Sequence, residues 1–270
     1  MRLMVIGCGS IGTTLVKAVE EMPGVSTIYL LDKSRARVNE LVSGLQKAVA
    51  ISEEELSEGL GEVDLVIEAA SQGAARHFVP IILEHGVDIM VMSVGAFADD
   101  DFREMAFAIS RQKRARILIP SGAVCGTDGL HSASAGEIDE VRLITTKSPK
   151  SLMKIQYFKD KGIDIDSITE PTVVFEGTAR EASTLFPRNM NVSATLSLLG
   201  VGFERTKVTI VCDPATERNS HRVVVKGPFG EMTSETHNVP SPMNPSTSYL
   251  AALSAIAAIK RIVDNNWIGI

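Results

Sequence analysis

Aromatic residues are scarce in this sequence: nine Phe, three Tyr and one Trp make up 5 % of the chain. A recognition surface built on aromatic side chains is therefore excluded, and burial falls to Ala, Val, Ile and Leu, which suits α/β layers. Cysteine is rarer still. Cys8, Cys125 and Cys212 lie far apart, so neither a metal-binding spacing nor a disulfide framework is available, and a reduced, cytoplasmic compartment is expected. Positive charge is not in excess: 27 Lys and Arg against 33 Asp and Glu leave a formal net charge of −6. That balance argues against nucleic acid as a partner. The densest basic stretch, Arg111 to Arg116, falls where a helix should end, and cations there meet the negative end of the helix dipole. No apolar run approaches the roughly 20 residues of a membrane helix. With Met1 to Ile6 already reading as a strand, no signal peptide is expected.

What the chain does contain is aliphatic material in a regular arrangement. Its 270 residues are 44 % hydrophobic and 22 % charged, a globular composition and enough for one large or two ordinary domains. Over the first 120 residues short apolar runs alternate with helical patterns. Strands are predicted at Leu3–Ile6, Thr27–Leu31, Val63–Ala69, Ile89–Val94 and Arg116–Ile119, and helices at Ile11–Met22, Arg35–Leu45, Ala74–Glu84 and Asp101–Lys113. Ser34 and Asp99 stand where helix N-caps belong. Leu65-Val66-Ile67 lies in a nearly continuous apolar run, as a strand covered on both faces requires. This is the pattern of a Rossmann-type, doubly wound parallel sheet.

Beyond Pro120 the alternation stops. Ile138–Thr146, Thr206–Cys212, Arg222–Lys226 and Glu231–Thr236 read as strands of a mixed or antiparallel sheet, with helices at Thr127–Ala135 and Val192–Leu199. Pro240, Pro242 and Pro245 predict an extended, irregular segment before a last helix, Ser246–Asp264. The expected architecture is α/β: a dinucleotide-binding domain over 1–120 and a second, α+β-like domain with an open mixed sheet over 121–240. The helix over 246–264 is expected to pack back on the first domain.

Gly7-Cys8-Gly9-Ser10-Ile11-Gly12 follows a predicted strand and opens a predicted helix, the context that gives a GxGxxG pattern its meaning. Gly7 permits the tight turn, Gly9 the approach of a pyrophosphate, and Gly12 close packing of helix on strand. Ser10 and Ile11 supply N–H groups at the helix N-terminus. Asp32 ends the second strand at the spacing of a carboxylate that takes a ribose 2′-hydroxyl, which favours NAD. The alternative is a turn aspartate capping the next helix. Lys33, Arg35 and Arg37 can hold a 2′-phosphate, so NADP stays open.

Several further segments together resemble the L-aspartate dehydrogenase family, in order and over essentially the whole chain. They are Glu68-Ala69-Ala70-Ser71-Gln72, Met92-Ser93-Val94-Gly95-Ala96, Ser121-Gly122-Ala123, Phe186-Pro187-Arg188-Asn189-Met190-Asn191-Val192, Asp213-Pro214-Ala215, Arg218-Asn219-Ser220-His221 and the run from Asn238 to Ser248. The resemblance implies a homodimeric enzyme that oxidises L-aspartate to iminoaspartate with NAD or NADP. The imine then hydrolyses to oxaloacetate and ammonia or feeds quinolinate and NAD synthesis. It also implies an active-site histidine at His221 and cofactor contacts at Ala123 and Asn191; Ala70 is a further candidate cofactor contact. One departure is visible: the basic pair usual after the second domain's first strand is split here into Lys147 and Lys150.

Amine oxidation needs a group that exchanges protons, and a histidine with an ordinary pKa of roughly 6.5 suits it. His221 shares a strand face with Val223 and Val225, which also fits a structural histidine held by backbone. His237 is the rival; His77, His85 and His131 read as ordinary surface residues. A dicarboxylate substrate calls for cationic or multiple N–H donors. Lys147, Thr146 and Asn191 are the candidates, with the hydroxyl of Thr145 and the backbone of Ser121–Ala123 beside them. Two other readings stand next to this one. Cys125, ahead of a helix, could serve as the nucleophile of a semialdehyde dehydrogenase-type enzyme, or the chain could be a non-catalytic dinucleotide sensor. No metal site is expected.

Overall fold

Strand β1 (Arg2–Ile6) is apolar almost throughout because it is covered on both faces: Leu3, Met4, Val5 and Ile6 are at most 2 % exposed. The computed structural model describes residues 1–153, 155–186 and 190–268. They divide into two units, Met1–Pro120 with Ala252–Ile268, and Ser121–Ala251.

In the first unit β1 is followed by α1 (Ser10–Glu20), β2 (Thr27–Leu31), α2 (Arg35–Ser43), β3 (Ala48–Ala50), α3 (Leu56–Leu60) and β4 (Leu65–Glu68). Then come α4 (Gln72–Glu84), β5 (Asp88–Val91), α5 (Asp100–Lys113) and β6 (Ile117–Leu118). All six strands are parallel, in the order β3-β2-β1-β4-β5-β6. The order reverses between β1 and β4, so a crevice opens at the carboxyl ends of those strands. The register pairs Ile6 with both Leu31 and Glu68, which brings Gly7, Asp32 and Ala69 to one edge. Leu15, Val16 and Val19 of α1 fill the core under this edge. Ala255 and Ile259, one helical turn apart on the last helix, join the same core.

Asp99 caps α5 by accepting from the Phe102 N–H at 3.0 Å. Ser34 occupies the cap position of α2 without making a side-chain cap bond; its own N–H donates to Asp32 Oδ1 at 2.8 Å instead. The short β3 and α3 were not expected from the sequence. The strand predicted to reach Val94 stops at Val91, because Val94–Ala98 winds into a 3₁₀ turn.

The second unit runs α6 (Thr127–Ala133), β7 (Glu140–Lys147), α7 (Pro149–Leu152), α8 (Gln156–Asp160), β8 (Thr172–Thr178), α9 (Ala179–Leu185) and α10 (Asn191–Leu199). It continues with β9 (Lys207–Cys212), β10 (Asn219–Gly227), β11 (Gly230–Asn238), β12 (Pro240–Ser241) and β13 (Asn244–Ser248), before α11 (Tyr249–Asp264). Its sheet has the order β11-β10-β7-β9-β8 and is mixed: β7 and β9 are parallel, and the other pairs are antiparallel. Val141 and Leu143 on β7 meet Val223 and Val225 on β10, and Leu130 of α6 and Leu196 of α10 complete that core.

Two expectations are corrected here. The stretch from Pro240 is not irregular but forms the two-stranded ribbon of β12 and β13, with Pro242 and Met243 in its bend, where a proline lacking an N–H costs no ladder bond. Secondly, β8 completes the sheet although no strand was predicted there; a bulge between Val173 and Phe175 breaks the alternation by which a strand is read.

Candidate active site

The glycine turn fits a dinucleotide by its sterics. Gly7 has φ +104°, open only to glycine, and a Cβ there would stand 2.8 Å from the Ala69 carbonyl and the Ala70 Cα. A Cβ on Gly12 would overlap the Gly7 carbonyl oxygen, so helix α1 can leave the strand at this angle only without one. At Gly9 nothing lies within 4 Å of the same position, and the backbone is open to a ligand. Gly9 is also the N-cap of α1 and offers no side chain to satisfy its first N–H groups, among them those of Ser10 and Ile11.

Asp32 braces the turn. Its Oδ2 accepts from the Cys8 N–H at 2.7 Å and its Oδ1 from the Ser34 N–H at 2.8 Å. Each oxygen keeps a second lone pair, and the carboxylate lines a cavity of about 510 Å³ together with Gly7, Gly9, Ala70 and Phe78. Lys33, Arg35 and Arg37 line the same cavity, with Arg35 donating to the Ile51 carbonyl at 2.9 Å. Burial first, then Asp32, pushes the Cys8 thiol up to about 11, so this cysteine stays protonated.

Glu68 carries no signal of its own in the sequence, yet it organises the neighbouring loops. It is fully buried and accepts from the N–H groups of Ala70, Ser71 and Ser93 and from the Ser93 hydroxyl, at 2.8 to 3.0 Å. Burial raises its pKa against the pull of these four bonds. The loops after β4 and β5 are thereby fixed to one carboxyl group.

In the second unit the strand pairing assembles the polar residues. Thr145 on β7 stands opposite His221 on β10, and His221 stands opposite Thr236 on β11. Because side chains alternate along a strand, Thr145, Lys147, His221 and Thr236 share one face. His221 is 8 % exposed, and its Nδ1 lies 3.0 Å from Thr145 Oγ1. Burial, and next the Lys147 charge, lowers its pKa to about 4. A ring titrating near neutrality is therefore not what the free protein holds: His221 is neutral down to about pH 4. Lys147 is pushed down to about 8 by burial alone. Among the described residues no carboxylate pairs with it, and it borders a small apolar cavity with Leu143, Thr145, Leu152 and Met190.

Parity on the strands separates the other candidates. Thr146 and His237 both align with Ser220, on the face opposite His221, so the structure does not bring Thr146 to Lys147. His237 is exposed and lies 3.4 Å from Glu235. Ala123 is buried, its carbonyl accepting from Thr236 Oγ1 at 2.9 Å and Asn238 Nδ2 at 3.0 Å. Cys125 is exposed, its thiol directed at the Glu235 carbonyl 3.6 Å away. Asn191 opens α10 and is exposed. Pro187, Arg188 and Asn189 of its motif lie outside the described residues. Phe186 beside them is anchored among Tyr157, Phe158 and Phe175, with ring centroids 4.9 to 5.8 Å away. Of the described residues, no group of His, Cys, Asp or Glu could hold a metal ion, and no helix is long and apolar enough to cross a membrane.

Residues 128–262 match the model of the aspartate dehydrogenase C-terminal domain, and residues 7–120 that of the homoserine dehydrogenase NAD binding domain. The chain belongs to the aspartate dehydrogenase family. L-aspartate dehydrogenase from Methanosarcina barkeri is 46 % identical, covering 100 % of this chain and 99 % of the relative. The enzyme of the same name from Methanosarcina acetivorans is 43 % identical with the same coverage. The crystal structure of aspartate dehydrogenase from Thermotoga maritima matches with a TM-score of 0.75 at 33 % identity, covering 100 % of this chain and 98 % of that one. Aspartate dehydrogenase architecture thus extends over both units, and NAD or NADP is the cofactor.

Proposed function

We propose that this protein oxidises L-aspartate to iminoaspartate with NAD or NADP, His221 moving the proton and Lys147 holding a substrate carboxylate. The observation that carries the reading is the single sheet face on which a neutral imidazole and a half-buried ammonium without a described carboxylate partner lie together. A nicotinamide, when bound, accepts the Cα hydride. His221 takes the proton that the substrate ammonium must lose to become the amine, from which hydride departure would leave an iminium; in the reverse direction it returns that proton to the amine nitrogen. Gly7, Gly9, Ser10, Ile11, Gly12, Asp32 and Ala70 are our cofactor contacts in the first unit. Ala123 and Asn191 are those in the second, Asn191 also serving the substrate. Thr146 lies on the opposite sheet face and is not among these contacts.

The product is an imine that hydrolyses to oxaloacetate and ammonia or feeds quinolinate formation. We further propose a cytoplasmic homodimer, in keeping with half-buried Ile144, Val211 and Val224 on the second unit's sheet. The test is the absorbance at 340 nm with L-aspartate and each cofactor, and in reverse with oxaloacetate plus ammonia. Turnover is expected both ways; its absence at saturating cofactor would favour a dinucleotide sensor.

NAD is the first choice of cofactor because Asp32 can accept the ribose hydroxyls. Charge-assisted hydrogen bonds are worth about 1.5–3 kcal/mol, so Asp32→Ala should weaken NAD binding roughly 10- to 100-fold. NADP should lose less, since Lys33 and Arg37 border the same cavity and suit a phosphate. Fluorescence titration of both cofactors checks this, and equal losses would remove Asp32 from the ribose.

A further inference from the structure

A histidine that moves protons through one ring nitrogen needs the other held, and the usual holder is a carboxylate or a backbone carbonyl. Here it is a hydroxyl. His221 Nδ1 lies 3.0 Å from Thr145 Oγ1, across the β7–β10 register, with the two residues 8 % and 7 % exposed. Among the described residues, the polar groups opposite and beside the ring on the sheet have partners of their own. Thr236, opposite on β11, donates its hydroxyl to the Ala123 carbonyl. Arg222 and Glu235 pair with each other on the opposite sheet face, at 2.8 Å. Helix α10 has no titratable side chain. Among the described residues, the Lys147 ammonium is the charge that acts on the imidazole.

We propose that Thr145 is the positioning residue of His221: its hydroxyl accepts from Nδ1–H, fixes the ring plane and leaves Nε2 bare as the proton-exchanging atom. The inference rests on the proposed role of His221. A hydroxyl suits the place better than a carboxylate would. It accepts one hydrogen bond without adding negative charge, so it orients the ring while stabilising the imidazolium far less than a carboxylate would. Threonine is also stiff about χ1 on a strand, which fixes the direction of Oγ1.

The hydroxyl's own hydrogen has somewhere to go. A cavity of about 20 Å³ borders both Thr145 and Lys147, room for roughly one water that these two groups could hold. In the oxidation direction the substrate N–H bond breaks, its proton bonds to Nε2, and the positive charge passes to the ring. Nδ1–H goes on donating to Thr145 throughout. The reverse step returns the Nε2 proton to the amine nitrogen that hydride addition to the iminium would leave, and the ring is neutral again.

The test combines Thr145→Val, which keeps the shape and removes the hydroxyl, with Thr145→Ser, which keeps the hydroxyl. Removing a group that orients a histidine from behind costs roughly 10- to 100-fold in activity, so Thr145→Val should lower kcat by that factor. The KM for aspartate and the affinity for NAD should move little, and Thr145→Ser should recover most of the loss. The ¹⁵N shifts of the His221 ring in the unsubstituted protein at pH 7, where the ring is neutral, should show hydrogen on Nδ1 and a bare Nε2. Thr145→Val should give a mixture of tautomers.

A ring with hydrogen on Nε2, or a folded Thr145→Val protein with near-normal kcat, overturns the proposal. The tautomer measurement stands even where the valine variant fails to fold. Should His221→Ala lose activity while Thr145→Val does not, only the positioning role falls. Should His221→Ala keep its activity, the reading of His221 itself falls.

Discussion

His221→Ala is expected to lower kcat by about 10²–10⁴, the usual loss when a general acid–base is removed. Affinity for the dinucleotide should hardly change, because Gly7, Gly9, Gly12 and Asp32 belong to the other unit and are untouched. Folding should survive as well, since among the described residues the side chain hydrogen-bonded to the ring is that of Thr145, whose hydroxyl can turn to a water. The pH dependence is the sharper readout. In the free protein burial and the Lys147 charge hold the His221 pKa at about 4, and the acid limb of kcat/KM reports the free enzyme. That limb should therefore fall near pH 4, far below an ordinary histidine, and vanish in the alanine variant.

The limb seen in kcat should lie higher. A bound dicarboxylate brings negative charge to the face shared by Lys147 and His221, and a nearby anion favours the protonated ring. His221 thus gains proton affinity only in the complex. Stopped-flow and steady-state profiles between pH 3.5 and 8 would be compared; coincident limbs, or a variant with near-normal kcat, would remove His221 from the reaction.

The first unit was legible almost element by element because its signals are long and local. A four-residue apolar run and an eleven-residue amphipathic helix each fix their own structure, and Gly7 to Gly12 carry their sterics with them. Residues 148–186 were much less legible. Their helices are four to seven residues long, too short for a 3.6-residue period to show, and the bulged β8 hides its alternation.

The site was legible in its residues rather than in their grouping. His221 and Lys147 were both named. The register that puts Thr145 beside them and sends Thr146 and His237 to the other face comes from pairing between strands 76 positions apart, at Thr145 and His221. Alternation within Thr145-Thr146-Lys147 could have separated Thr146 from Lys147 had the strand's end been known. Glu68 had no such signal. A carboxyl group in an apolar strand declares its role only when three N–H groups and a hydroxyl are seen converging on it.

Lys147→Met should have its effect on binding rather than on the chemical step. A charge-assisted hydrogen bond is worth about 1.5–3 kcal/mol, so the KM for aspartate should rise roughly 10- to 100-fold while kcat falls less. Methionine keeps the length and the apolar stem that borders Leu143, Leu152 and Met190, so the cavity wall is preserved. The pH dependence again separates the roles. Burial lowers the Lys147 pKa from 10.5 to about 8. The ammonium is then charged below about pH 8 and lost above it, and kcat/KM should decline through that value. In Lys147→Met this alkaline limb disappears. In Lys147→Arg it moves beyond the measurable range, because a guanidinium stays protonated at pKa values above about 12. The methionine variant should also relieve His221 of a neighbouring charge that lowers its pKa, moving the acid limb of kcat/KM upward from about 4. Burial, the larger cause, remains, so the limb should stop short of the ordinary value. An unchanged KM together with an unmoved acid limb would place Lys147 outside the substrate site and leave its half-buried charge without a role in binding.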